Sequence, residues 1–293
     1  MIPLFTSIPP HFSRKQADGQ DLGNQYARAC VKSWRNNGFD PVTVNSKNEA
    51  LASIISEENI ECIAVGRDAR EKFGKPLIFL GDFISAACSH QVDGPLVITN
   101  ADILIDISTD DYRRLENLQP GQCFVSRRQD IKEMDSRLGS EYLQGYDFFA
   151  FHSSDLKKFR SDDFVMGMPW WDHYLPIWMY LMGLEQLSIK DPFVFHLSHA
   201  ERWDFEKWVI LGENFMKFIQ QTGNSRAGLS AQAASYLEVV NRNINKTEGG
   251  LKNSIKTALK KMTKSGRLEK KIQILHQVAD ANVEWLDRMR LAG

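Results

Sequence analysis

What most limits this chain is the alternation of two periodicities over its first hundred residues. Ile2–Thr6, Pro41–Val44, Ile60–Val65 and Leu96–Thr99 are short apolar, β-branched runs, the pattern of strands buried on both faces. Between them, Tyr26–Trp34, Asn48–Ile55 and Pro76–Ala87 carry apolar residues at helical spacing. Asn36-Asn37-Gly38 is a helix stop, and Pro76 suits a first turn. A strand, a helix and a second strand in this order form a crossover unit, so the pattern predicts a mostly parallel sheet with helices on both faces. Cys123–Ser126, Asp147–Phe151 and Pro192–Leu197 read as further strands. After Arg202 the chain reads as almost wholly helical. The expected division is an α/β region of residues 1–200 and a helical region of residues 201–293.

The 293 residues, 43% of them apolar, are enough to bury a sizeable core. A formal net charge of -1 gives no global attraction for nucleic acid or for a membrane. There is no run of about 18 apolar residues. Met1–Pro10 has no basic start before an apolar stretch, so neither a spanning helix nor a secretory leader is expected. Four cysteines without a C-x-x-C pair read as reduced thiols of a cytoplasmic protein. One segment departs from neutrality. Residues 246–271 hold nine Lys or Arg against two Glu, with Leu251, Ile255, Ala258, Leu259 and Met262 at helical spacing. A basic helix over 251–263 can lie peripherally on an anionic bilayer or turn its apolar stripe onto the protein. Leu268–Met289 comes close to a heptad pattern that Asn282 interrupts, which favours core packing over a coiled-coil dimer. The oligomeric state is not fixed by any of this.

Ligands of doubly wound sheets bind at the carboxyl ends of the strands. Here those ends are Thr6-Ser7-Ile8, Asn45-Ser46, Gly66-Arg67-Asp68 and Asn100-Ala101-Asp102, all polar. The last is the sharpest, because it sets a carboxylate at the tip of a buried apolar strand. A carboxylate there is costly unless paired or bound to a cation. Mg²⁺ and Mn²⁺ commonly take one or two carboxylates together with substrate phosphates. A plain turn, which Asn and Asp favour, is the alternative.

The segment resembles the GT-A superfamily of nucleotide-sugar glycosyltransferases, whose hallmark D-x-D motif would read Asn100-Ala101-Asp102 here, with Asn replacing the first Asp. The resemblance covers residues 1–200. It implies a GT-A-like, mixed and mostly parallel sheet, Mn²⁺ or Mg²⁺ on Asp102, and donor contacts from Asn100 and Ala101. Thr6, Ser7 and Ile8, with Arg14, are implied to touch the nucleotide. Arg67 or Asp68 is implied to touch the nucleoside, and Lys75 to reach phosphate as a point charge.

On the acceptor side the resemblance implies that Asp147 binds sugar hydroxyls. Trp170 and Trp171 either stack on pyranose rings or belong to the core. Asp172 is either the base that deprotonates the acceptor hydroxyl in an inverting transfer or a helix cap. Of His196 and His199, at most one is expected to ligate the metal and the other to bind phosphate, because a pair at i, i+3 in extended chain does not share one ligand point. The donor is then a nucleotide-diphosphate sugar and the acceptor a saccharide, free or lipid-linked. A sugar nucleotidyltransferase is one alternative, although Ile8-Pro9-Pro10-His11 is not its Gly-rich loop. A non-catalytic carbohydrate-binding or scaffold protein is another. No Ser-His-Asp order, P-loop or G-x-G-x-x-G sequence is present, which disfavours hydrolase, kinase and dinucleotide-binding functions.

Overall fold

The computed structural model describes residues 1–15, 19–90, 93–157, 159, 161, 163–199, 205–224, 230–231, 233–240 and 264–292. Its first half runs β1 (Ile2–Thr6), α1 (Gly23–Asn36), β2 (Phe39–Ser46), α2 (Ser53–Glu57), β3 (Glu61–Val65), α3 (Arg70–Phe73), α4 (Leu80–Ser89), β4 (Pro95–Thr99), β5 (Leu104–Ile105) and α5 (Thr109–Glu116). There follow β6 (Gln122–Ser126), β7 (Gln129–Ile131), β8 (Gly139–Glu141), β9 (Phe148–His152), α6 (Ser153–Leu156), α7 (Trp171–Leu181), β10 (Glu185–Leu187) and β11 (Val194–Leu197). Two long helices, α8 (Phe205–Asn224) and α9 (Lys264–Ala292), complete the labelled elements.

The main sheet has seven strands in the order β10-β6-β9-β4-β1-β2-β3. β1 pairs in parallel with β2 and β4, β2 with β3, and β10 with β6. β9 is antiparallel to both β4 and β6. The sheet is therefore mixed and mostly parallel, as the strand–helix order predicts. A second sheet of four short strands runs β5-β11-β7-β8.

Strand alternation sends side chains to two cores. Leu4, Val97, Phe148 and Ala150 face α1 and the second sheet. Phe5, Ile98, Phe149 and Phe151 face α4, α7, α8 and α9. α1 buries Tyr26, Ala27, Cys30, Val31 and Trp34 along one stripe, which is why its helical period was visible in the sequence. α7 buries residues on every side and lies between the sheet and the C-terminal helices. Trp171 packs edge-on to Phe149 at 5.3 Å, and Trp170 stacks on Phe215 of α8 at 5.3 Å.

Two predicted helices are shorter than expected. Over 48–55 only Ser53 onward is helical, because Ser46 Oγ accepts the Asn48 amide at 3.1 Å and turns the chain first. The helix predicted from Pro76 starts at Leu80. Phe79 bridges to Val165, and the Leu80 amide donates to the Phe164 carbonyl at 2.8 Å, so the preceding residues are held extended. α9 turns Ile274, Leu275, Val278 and Leu286 into its own chain, and buried Asn282 accepts the Tyr236 hydroxyl at 2.7 Å. These apolar residues of the helix pack into the core of the chain. The basic segment 251–263 lies outside the described residues. No helix among the described residues is long and apolar enough to cross a membrane. All four cysteines are free.

Candidate functional site

A cleft of about 260 Å³ opens at the carboxyl ends of β1 and β4. Thr6, Ser7 and Arg14 line it from the β1 side, and Asn100, Ala101 and Asp102 from the β4 side. Thr6 Oγ1 is buried without a hydrogen-bond partner, a group left for something that enters the cleft. Ile8 does not line the cleft. Its amide donates to Thr43 Oγ1 at 2.9 Å and its carbonyl accepts from Asn45 Nδ2 at 2.8 Å, so it anchors the loop that carries Ser7.

Asp102 is held by its backbone. The Tyr26 hydroxyl donates to the Asp102 carbonyl at 2.8 Å and accepts the Leu197 amide at 2.8 Å. One phenol on α1 thus ties the motif turn to β11 and brings the Asp102 carboxylate to His196. His196 Nε2 lies 3.4 Å from Asp102 Oδ2, while His196 Nδ1 is 2.8 Å from Asp130 Oδ1. Past the end of β11 stands His199, whose ring centroid is 5.1 Å from that of His196. Donor atoms of Asp102, His196 and His199 all fall within 4.8 Å of one another. The three form a group able to hold a metal ion. The sequence predicts one ligating histidine, and the structure brings both beside Asp102.

Arg14 also reaches this point. Its Nη2 pairs with Asp102 Oδ2, its guanidinium lies 5.3 Å from the Tyr26 ring centre, and its Nε is buried without a partner. Desolvation raises the Asp102 carboxyl, but the His196 hydrogen bond and the charges of His196, Arg14 and Arg128 outweigh it and hold the group far below the usual carboxylate range.

The chain is similar to several solved structures at low identity. A Pyrobaculum calidifontis mannosyltransferase in complex with GDP-Man and Mn²⁺ matches with a TM-score of 0.45 and 12% identity, over 99% of this chain and 86% of that one. Staphylococcus aureus TarS matches with a TM-score of 0.48 and 11% identity, over 99% of this chain and 55% of that one. A Methanothermobacter nucleotidyl transferase matches with a TM-score of 0.38 and 12% identity, over 74% of this chain and 95% of that one. No family model and no curated protein sequence matches the chain.

Beside the cation group lies a second set of charges. Asp147 is 2% exposed. Its Oδ1 accepts from Asn100 Nδ2 at 2.8 Å and from Arg128 Nη1 at 3.1 Å, and its Oδ2 accepts from the same Nη1 at 3.2 Å. Both oxygens of the carboxylate are engaged by these partners. Asp172, in the first turn of α7, lies against Gly145 and outside the cleft lining. Its carboxyl is pushed up to about 7, first by desolvation and then by the Asp147 charge. The cap of α7 is Trp170, so Asp172 is not the N-cap.

Other expected contacts are placed elsewhere. Trp170 and Trp171 are 1% and 2% exposed, and the Trp170 indole N–H donates to the Trp208 carbonyl at 2.9 Å. Trp170 stacks on Phe215 and Trp171 packs edge-on to Phe149, so both rings sit in the core. Arg67 donates to Asp82 at 2.6 Å and lies over Phe79. Asp68 accepts from Ser46 at 2.6 Å and from the Arg70 amide at 2.9 Å, which fixes the start of α3. Lys75 is exposed and does not line the cleft.

Sequence reasoning missed Tyr26, Arg128 and Asp130. A faint signal existed for the last two. Arg128 and Asp130 stand at alternate positions just after an apolar strand, so one face receives both charges. Nothing in the spacing identified Tyr26, which reads as one more apolar helix residue.

Proposed function

We propose that this chain is a metal-dependent glycosyltransferase that moves a sugar from a nucleotide-diphosphate donor to a saccharide acceptor, free or lipid-linked, with inversion at the transferred carbon. The observation that carries the proposal is the convergence of Asp102, His196 and His199 beside a cleft whose other lining includes unpaired Thr6 Oγ1. One carboxylate oxygen and two imidazole nitrogens fit a first-row transition ion better than Mg²⁺, which prefers oxygen ligands and keeps its waters. Of the two expected ions, Mn²⁺ is the better match. When bound, such an ion neutralises charge that builds on a departing diphosphate.

The chain's own residues do the rest. Asp130 accepts the Nδ1–H of His196 and so leaves Nε2 free to ligate. Thr6, Ser7 and Ala101 hold the nucleotide. Arg14, once Asp102 is otherwise neutralised, turns its guanidinium to the diphosphate as a charge-assisted donor. Asp172, with a carboxyl near neutrality, takes the proton from the acceptor hydroxyl.

Calorimetry with a panel of nucleoside diphosphates, with and without Mn²⁺, tests this. Binding that requires Mn²⁺ and disappears in Asp102→Ala is the expected result. Pyrophosphate release from a sugar phosphate and a nucleoside triphosphate would point instead to a nucleotidyltransferase. No nucleotide binding under any condition would leave a scaffold.

A further inference from the structure

We propose that Arg128 is a positioning residue that braces the cation centre from two directions, acting on His196 through Asp130 and on the Asn100–Asp102 turn through Asp147. The inference rests on Asp102, His196 and His199 holding a cation.

Arg128 directly precedes β7, and its side chain is 19% exposed. Its Nε donates to Asp130 Oδ1 at 2.9 Å, and its Nη1 donates to both oxygens of Asp147 at 3.1 and 3.2 Å. The guanidinium carbon stands 3.9 Å from the Tyr142 ring centre, so the plane is fixed from a third direction. A planar fork of donors can hold two carboxylates in one fixed relation, which a flexible ammonium cannot. Without it, Asp130 and Asp147 would be two like charges in a poorly solvated site.

Each carboxylate passes that placement on. The Asp130 oxygen that accepts from Arg128 also accepts from His196 Nδ1 at 2.8 Å. The β7–β11 register sets His196 opposite Asp130, so the ring is aimed by backbone pairing and by this bond together. On the other arm, Asp147 Oδ1 accepts from Asn100 Nδ2 at 2.8 Å. Asn100 stands two positions before Asp102 on the same turn. Asp102, His196, Asp130, Arg128, Asp147 and Asn100 therefore form a chain of contacts whose two ends are joined by the backbone from Asn100 to Asp102, a ring of contacts and covalent chain together. The ring explains why Asn stands at the first motif position. An aspartate there would set a third carboxylate against Asp147, where the amide instead donates.

Mn²⁺ binding to the full chain, measured by the electron paramagnetic resonance of free Mn²⁺ with no donor or acceptor present, tests the coupling. Arg128→Gln is expected to weaken binding by about tenfold or more, as loss of a ligand-orienting partner does. Asp130→Asn should do the same. The double variant should be no weaker than the worse single, because both act on His196 by one route. Arg128→Lys should recover only part of the loss. At saturating Mn²⁺, Arg128→Gln should still show a lowered kcat, since Asp147 has lost its partner as well. Circular dichroism and thermal unfolding check the fold; should Arg128→Gln not fold, Arg128→Lys and Asp130→Asn supply the comparison. A folded Arg128→Gln chain that binds Mn²⁺ as the wild type does, or losses that add in the double variant, overturns the coupling and leaves the cation centre standing. A wild-type chain that binds no Mn²⁺ removes the cation centre, and the coupling with it.

Discussion

Asp102 Oδ2 is already paired with Arg14 at the edge of the cleft, so a cation that takes this oxygen replaces the guanidinium. Two unit charges about 4 Å apart cost on the order of 4 kcal/mol near a protein surface, and a divalent ion beside a guanidinium costs more. The guanidinium must therefore leave, and its buried, unpaired Nε shows that its present seat does not satisfy it fully. Arg14→Met is expected to tighten Mn²⁺ binding by roughly tenfold while weakening nucleoside diphosphate binding by tenfold or more, the loss of one charge-assisted hydrogen bond. Calorimetry of each ligand separately reads the two signs; if both affinities fall together, Arg14 is only a structural partner. Asp172 gives a second expectation at this scale. Its carboxyl has moved from an ordinary 3.8 to about 7, so between those values the folded chain holds a proton that the unfolded chain has lost. Stability then falls as pH rises from about 4 to about 7 and levels off above. Asp172→Asn should remove that slope, so thermal melts of variant and wild type diverge toward neutral pH and meet near pH 4. Transfer should rise through about pH 7 in the wild type and drop by about 10²–10⁴ in the variant. Asp102 was legible in the sequence because a carboxylate at an apolar strand tip demands a partner. Trp170 and Trp171 were not, since an aromatic pair before a helix reads the same whether its rings meet sugar or Phe215.

Elements decide whether such residues meet. The sheet order follows from strand–helix alternation in the first hundred residues, and the strands there lie where the apolar runs are. The second sheet shows in the sequence only at β11, which lies in the apolar run Pro192–Leu197; β5, β7 and β8 have only two or three residues each, too few for a period. That sheet is nonetheless what brings Asp130 to His196, so half of the site was out of reach of pattern reading. The antiparallel insertion of β9 is likewise a matter of long-range pairing and puts Asp147 beside Asn100. Asp172 depends on the fit of α7 against the segment before β9. Gly145 lies so close that a Cβ there would overlap Asp172 Oδ2. Gly145→Ala is expected to push that carboxylate aside and lower kcat at least tenfold, with Mn²⁺ and nucleotide affinities unchanged; equal kcat would show that Asp172 need not sit where it does. A similar close approach occurs at Gly212 of α8, where a Cβ would stand 2.8 Å from Leu275 Cδ2 of α9 and 3.0 Å from Trp170 Cε2. Gly212→Val should cost about 1–3 kcal/mol by overpacking, read from denaturant midpoints.

The composition shift near residue 200 marks a change in the kind of element, while one apolar core spans it. α7 is the reason. Its sheet-facing side meets Phe149, and its other side meets Phe218 through Tyr174 at 4.7 Å and Trp285 and Tyr236 through Tyr180 at about 6 Å. A helix apolar all round has no surface to offer water. The last helix also ends in an ion pair with the α/β region. Asp287 accepts from Arg127 at 2.5 Å and from the Tyr146 hydroxyl at 3.3 Å, and the Arg127 side chain is only 5% exposed. Removing residues 201–293 would strip the apolar cover from α7 and leave a buried guanidinium without one of its two carboxylates, a loss that costs several kcal/mol where the charge stays buried. Residues 1–200 alone are therefore expected to bind a hydrophobic dye, lose near-ultraviolet circular dichroism and melt without a cooperative transition, while the full chain unfolds cooperatively. A fragment of residues 1–200 that melts sharply, near the midpoint of the full chain, would show that the helical region is an appendage and that the core around α7 closes without it.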